Sequence, residues 1–238
     1  MRLDNYLSKA INVTRKKARE LIKSGKVSVE GHIVLKPDYH IDENDDKVYF
    51  ENKLLSYRKF KYIMINKPQG VVSAVTDRKY KTIVDLVGDD TLFPVGRLDI
   101  DTEGLIILTN NGRLSHFLTS PKSNIWKGYY FEVASPLTEE NANALKKGVE
   151  ILDGKNKPFI TKPAKLKLIS ENKGIVEIVE GKFHQVKRMF EKIGNKVIYL
   201  KRIHFGGLFL DDSLNLGDFR ELTDDEVEYL KKICNFKE

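Results

Sequence analysis

Two glycines bracket a charged turn that runs straight into an apolar tetrad: Gly96-Arg97-Leu98-Asp99-Ile100-Asp101-Thr102-Glu103-Gly104, then Leu105-Ile106-Ile107-Leu108. Thr109-Asn110-Asn111-Gly112 closes the run. Four apolar residues ended by a turn signal read as a short buried strand, so the chain must build a sheet around it. Gly96 and Gly104 permit backbone geometries that other residues resist. An arginine and two carboxylates therefore stand at the mouth of a buried strand. A carboxylate held there beside a guanidinium suits a nucleophile or a base. The same aspartates would also serve as turn caps in a surface loop, and the residues alone leave both roles open.

From Lys61 onward the chain alternates short apolar runs with turns. Tyr62-Ile63-Met64-Ile65, Tyr129–Val133, Leu166–Leu168 and Ile175–Val179 read as strands, and Thr138–Lys147 and His184–Ile193 as helices. Without regular βαβ alternation this mixture predicts an α+β fold. The N-terminal segment differs. Leu3, Tyr6, Leu7 and Ala10 recur at helical spacing. Thr14 is a good N-cap for a second helix to about Lys23, and Gly25 closes it. Ala18, Leu21 and Ile22 make its inward stripe, leaving Arg15, Lys16, Arg19 and Lys23 mostly toward solvent. Two β-prone runs flank Glu30-Gly31, a hairpin signal. The acidic, turn-prone stretch Asp42-Glu43-Asn44-Asp45-Asp46 is expected at a loop, and Lys53 to Lys59 as a linker. The expected domains are residues 1–58 and 59–238.

Charge narrows the partners. The net charge is +7, but residues 1–36 hold nine Lys/Arg against three Asp/Glu, and residues 182–204 hold seven against one Glu. Two separated basic zones suit two contacts on one long polyanion. The single cysteine, Cys234, rules out a disulfide within the chain and points to a reducing compartment. The N-terminus lacks the apolar core of a signal peptide, and no stretch approaches the ~20 apolar residues of a membrane span. A cytoplasmic protein with no membrane contact is expected. There is no zinc-spaced Cys/His cluster and no GxxxxGK loop, so no metal or cofactor is called for.

The string from Val95 to Gly112 resembles the signature of the pseudouridine synthases, in particular the small-subunit ribosomal branch typified by RsuA. Glu180-Gly181-Lys182-Phe183-His184-Gln185-Val186-Lys187-Arg188-Met189-Phe190 is similar to a second string of that branch, with Phe183 where tyrosine is usual. The N-terminal helix pair and hairpin, over roughly Arg2 to Ile41, resemble an S4 domain, an RNA-binding module. The resemblance implies a bent, mixed, mainly antiparallel sheet with flanking helices behind a small α/β module. It implies Asp99 as the catalytic carboxylate and a tyrosine of Lys127-Gly128-Tyr129-Tyr130 packed on the target base, with Tyr129 favoured over Tyr130. It also implies a cation against Asp99, either Lys187 or Arg188, which would favour the ionised carboxylate. Lys-Pro-x-Gly at Lys67–Gly70 resembles a loop near the family's cleft and is given a structural role only. Asp101 is expected to stabilise the turn. Arg15, Lys16, Arg19 and Lys23, with Arg97, Lys182 and His184, are the candidate RNA contacts. The expected substrate is a uridine of small-subunit (16S) ribosomal RNA, bare or in a partly assembled subunit, turned over by a cofactor-free monomer. Other expectations fit parts of the same residues: a large-subunit synthase, a non-catalytic assembly factor, or a Mg²⁺ site on Asp99 and Asp101.

Overall fold

The computed structural model describes residues 1–42, 45–55, 57 and 59–237. Glu43 and Asn44 of the acidic stretch, and Ser56 and Arg58 of the expected linker, lie outside the described residues, as does Glu238. The chain separates into two compact units, Met1–Lys59 and Phe60–Glu238.

In the first unit, helices α1 (Leu3–Ala10) and α2 (Arg15–Lys23) precede strands β1 (Val27–Val29), β2 (His32–Ile33), β3 (Val48–Phe50) and β4 (Lys53–Leu54). The Thr14 hydroxyl accepts the Lys17 amide and so caps α2. Glu30 and Gly31 both take positive φ between β1 and β2, as a tight two-residue hairpin requires. Leu3, Leu7, Ala18, Ile22, Val27 and Val48, all fully buried, form the heart of the core. One expectation is corrected: Lys53 and Leu54 are not linker but pair with Phe50 and Tyr49. Glu51 and Asn52 make the second positive-φ hairpin. Glu-Asn lacks the glycine that would have flagged it.

The second unit begins with β5 (Tyr62–Lys67), α3 (Ile83–Val87), β6 (Phe93–Pro94), β7 (Glu103–Thr109), α4 (Gly112–Thr119), β8 (Lys127–Val133) and α5 (Glu139–Lys147). It continues with β9 (Glu150–Leu152), β10 (Pro158–Ile160), β11 (Lys165–Ser170), β12 (Lys173–Ile178), α6 (Gln185–Lys192), β13 (Val197–Phe205), β14 (Leu208–Phe209), β15 (Phe219–Glu221) and α7 (Asp224–Ile233). The principal sheet runs β11-β12-β8-β13-β7-β5-β15, with β14 paired to β13 and β6 to β7. Its pairs are antiparallel except β13 with β7, so the unit is α+β around a mixed sheet. Alternation sorts the apolar residues onto two faces. Ile63, Ile65, Ile106, Leu108, Tyr129 and Phe131 join one core. Met64, Leu105, Ile107 and Phe205 join another with Leu114 of α4 and Leu230 of α7.

The parallel pair depends on Gly104. Its φ is +100°, and a Cβ there would stand 2.2 Å from the Arg202 carbonyl oxygen. β13 was hidden by its own charges, which read only as part of a basic zone. Arg202 is in fact 2% exposed, its Nε donating to the Leu105 carbonyl at 2.6 Å. The acidic C-terminal stretch likewise folds: Arg220 bonds Asp211 and Glu226, and Glu226 completes the capping box of α7.

Candidate active site

Asp99 sits in the loop between β6 and β7, and that loop is fastened from beneath. Lys67, the last residue of β5, has no exposed surface. Its ammonium donates to the carbonyls of Thr102 at 2.9 Å, Asp99 at 3.0 Å and Pro68 at 3.0 Å, with that of Ile100 at 3.4 Å. Three hydrogens facing four acceptors make the longest contact a shared one. The Gly70 amide also donates to the Ile100 carbonyl. Ser73 Oγ donates to the Leu98 carbonyl and accepts the Leu98 amide. The segment from Lys67 to Ser73 thus fixes the backbone on which Asp99 stands. Burial pushes the Lys67 ammonium down to about 8; Asp101, Asp99 and Glu103 oppose the shift and Lys187 adds to it.

The second string meets Asp99 from the other side. His184, in the left-handed region at φ +51°, precedes α6. Its Nε2 lies 3.5 Å from Asp99 Oδ1, and the ring stacks on Phe183. Lys187 Nζ lies 3.2 Å from Asp99 Oδ2 and also bonds Asp101 Oδ1. Arg188, one residue along and roughly 100° around the helix, points elsewhere. It donates to the carbonyls of Leu152 and Asp153 and covers Phe183. The structure brings Lys187, and not Arg188, to the carboxylate. Asp101 is more than a turn residue, since it shares the Lys187 ammonium. Burial works to raise its carboxyl, but the Lys187 hydrogen bond and charge outweigh that and leave it below the usual range. Lys187 also occupies the space between the two carboxylates where a divalent ion would have to sit. Among the described residues no group of three His, Cys, Asp or Glu is placed to hold a metal.

The cleft around Asp99 is floored by Tyr129, Ile178 and Leu200 and edged by Arg97, Lys182 and Lys187. Tyr129 is 7% exposed and lies on the core face of β8. Tyr130 points to the opposite face, where its hydroxyl bonds Glu132 and its ring meets Tyr199. Arg97 and Lys182 are exposed.

In the first unit the basic face is organised around a residue that sequence reasoning passed over. Asp4 is fully buried, yet its carboxylate accepts from Arg2, Arg15 Nη2 at 3.0 Å and Arg19 Nε at 2.9 Å. Burial works to raise that carboxyl, but the three guanidiniums hold it far below the usual range. Arg15 and Arg19 remain half exposed. Lys16 and Lys23 are exposed on the same helix. The only sequence signal for Asp4 was its place on the first turn of a helix rich in buried positions.

A family model described as RNA pseudouridylate synthase matches residues 61–192, and one described as S4 domain matches residues 1–47. The chain is 40% identical over 236 residues to the ribosomal small subunit pseudouridine synthase A of Haemophilus influenzae, spanning 98% of this chain and 100% of that one. It is 39% identical over 240 residues to YtzG of Bacillus subtilis, named as an uncharacterized RNA pseudouridine synthase, spanning 98% and 99%. A crystal structure of a pseudouridylate synthase superposes with a TM-score of 0.66 at 39% identity, covering 97% of this chain and 99% of that one.

Proposed function

This chain belongs to the RNA pseudouridylate synthase family and carries an S4 domain, and from that premise we propose that it isomerises one uridine of small-subunit ribosomal RNA, with Asp99 as the reacting carboxylate. The observation that carries the proposal is the setting of Asp99. It lies in an open cleft, fastened through its backbone by Lys67 and faced by the Lys187 ammonium at 3.2 Å. The likeness to a relative named for the small ribosomal subunit supports the choice of substrate.

The reaction breaks the bond between N1 and C1′, turns the base, and joins C5 to C1′. The C5 proton leaves and N1 gains one, so atoms balance without redox change and no cofactor is required. Asp99 supplies an anion beside C1′ and C6, where charge develops as the bond breaks. Tyr129 gives the detached base a flat apolar surface to lie on while it turns. Lys187 holds both aspartates in place. The target must leave its stack, at a cost of a few kcal/mol unless it is already unpaired. Arg97, exposed at the cleft edge, grips the neighbouring phosphate or fills the vacated space. The S4 module anchors the RNA backbone without reading bases. The protein works as a monomer in the cytoplasm.

Tritium release from C5-labelled small-subunit RNA, bare and as a ribosomal particle, with large-subunit RNA alongside, tests the proposal. One equivalent released from the small-subunit substrate alone is the expected result. Release only from large-subunit RNA would move the protein to the sister branch, and no release from any would end the enzymatic proposal for these substrates. A second expectation concerns the basic face. Arg15→Ala/Lys16→Ala/Arg19→Ala should weaken RNA binding and flatten the slope of log affinity against log salt, by roughly 0.7–0.9 per lost phosphate contact. An unchanged slope in a folded variant would remove that face from RNA binding.

A further inference from the structure

A second groove, of about 400 Å³, opens beside the start of β8, lined by Ile125, Trp126, Lys165, Glu177, His204 and Phe209. It lies on the sheet face opposite the cleft. Tyr129 faces the cleft, whereas a Cβ on the preceding Gly128 would strike the His204 ring, 2.1 Å from Nε2. Glu177 and Ile178, neighbours on β12, divide between the two concavities in the same way. The two sites therefore back onto the same end of β12, β8 and β13.

The groove has the chemistry of a nucleobase site. Phe209 is 61% exposed, although large apolar rings are ordinarily covered. Lys165 Nζ stands 4.1 Å from the centre of the Trp126 ring and 3.4 Å from Glu177, so cation and aromatic face already lie together. His204 is 5% exposed; its Nε2 lies 3.0 Å from Glu177 Oε1, and its Nδ1 is buried with no partner among the described residues. The ring and the Glu177 carboxylate beside it add polar groups to the apolar lining of the groove. Glu177, the acidic member, is answered by Lys165 and His204.

The rim is basic and joins the two sites. Lys162 Nζ donates to Asn124 Oδ1 at this groove, and its backbone amide donates to Glu180 Oε2. That same oxygen accepts from Gln185, which lines the catalytic cleft. Lys122 and Lys162 are both exposed. Exposed aromatic surface with interleaved lysines is how proteins hold unpaired nucleotides. The lysines along the route match the regularly spaced phosphates of one continuous strand.

We propose that this groove receives an unpaired nucleobase of the substrate RNA, close in sequence to the target uridine. The strand leaves the cleft, passes Lys162 around the sheet end, and stacks a base against Trp126 and Phe209. This rests on the chain acting on RNA, and it adds a second contact that selects targets flanked by an unpaired base.

Trp126 is the sole tryptophan, so its emission reports this groove directly. The full-length Asp99→Asn protein, titrated with a small-subunit RNA fragment carrying the target loop, should show Trp126 quenching with the midpoint found by filter binding. Phe209→Ala and Lys165→Ala alter exposed side chains and should each weaken that RNA at least about fivefold, the lower end for one stacked base. Saturating RNA with flat Trp126 emission and unchanged affinity in both variants would overturn the groove while leaving tritium release, and hence the enzyme, intact. Absence of RNA binding by either readout would overturn the groove together with the function on which it rests.

Discussion

Replacing Asp99 with asparagine is expected to slow tritium release by at least about 10³-fold, while RNA affinity changes less than about threefold. The amide keeps the size of the carboxylate and removes its charge and its basicity, so the loss falls on the chemical step. Binding should survive because the exposed cations around the cleft, Arg97 and Lys182, are untouched. The local fold should survive too, since Lys187 keeps its bond to Asp101 and the loop backbone keeps Lys67. Single-turnover tritium release and filter binding on the same preparation separate the two quantities. Turnover within tenfold of the parent would remove Asp99 from the reaction.

The second large effect is expected at a residue outside the cleft lining. Lys67→Met removes the ammonium from the carbonyls of Pro68, Asp99 and Thr102; the Asp99 carbonyl keeps the Thr102 amide, but the buried Thr102 carbonyl loses its ammonium donor. An unmet buried acceptor costs about 1–3 kcal/mol, partly offset because methionine carries no charge into the interior. A net destabilisation of about 2 kcal/mol is expected. The larger consequence is a loosened Asp99 loop, since a misplacement of about 1 Å can cost about 10²-fold in rate. The expected signature is kcat down about 10²-fold with KM within a few-fold, which marks Lys67 as a positioning residue. A proportional loss in the amount of folded enzyme, with kcat per folded molecule unchanged, would assign it to stability alone.

Lys67 also leaves a mark on stability against pH. Its folded value is about 8 and its ordinary value 10.5. Between these, the unfolded chain holds a proton that the folded chain has released. Unfolding free energy therefore rises with pH across that window. Lys127, pushed down to about 8 by burial and by Arg202, acts with the same sign. Urea unfolding between pH 8 and 10.5 should show the rise in the parent and a smaller one in Lys67→Met. An identical rise in both would mean that Lys67 keeps its ordinary value in the fold.

Much of this was legible because it is local. Thr14 capping, the Glu30-Gly31 hairpin and the buried strand after Gly104 follow from steric and hydrogen-bonding rules acting within a few residues. Asp99 was singled out differently, because a contiguous string around it resembles a family signature. What stayed hidden was charge spent inside the fold. Lys67, Arg202 and Asp4 are buried ionic groups with the composition of surface residues. A sequence displays their charge but not the carbonyls or guanidiniums that satisfy it. β13 went unread for that reason, and β4 because Glu51-Asn52 takes positive φ without a glycine.

The sequence by itself determined the chemistry available: a carboxylate at a strand mouth, a tyrosine-bearing strand, a basic helix start and a basic N-terminal helix. Only the tertiary structure decided which of these meet. Lys187 and Asp101 are 86 residues apart and touch because α6 and the β7 loop are brought together around one sheet. Register governs such meetings, since a slip of one residue sends every side chain of a strand to the other face. It places Tyr129 under the cleft and Tyr130 behind it. Helical phase does the same for Lys187 and Arg188: adjacent residues diverge by about 100°. Residue type states what a group can do; which groups it does it with depends on long-range packing that no local rule encodes.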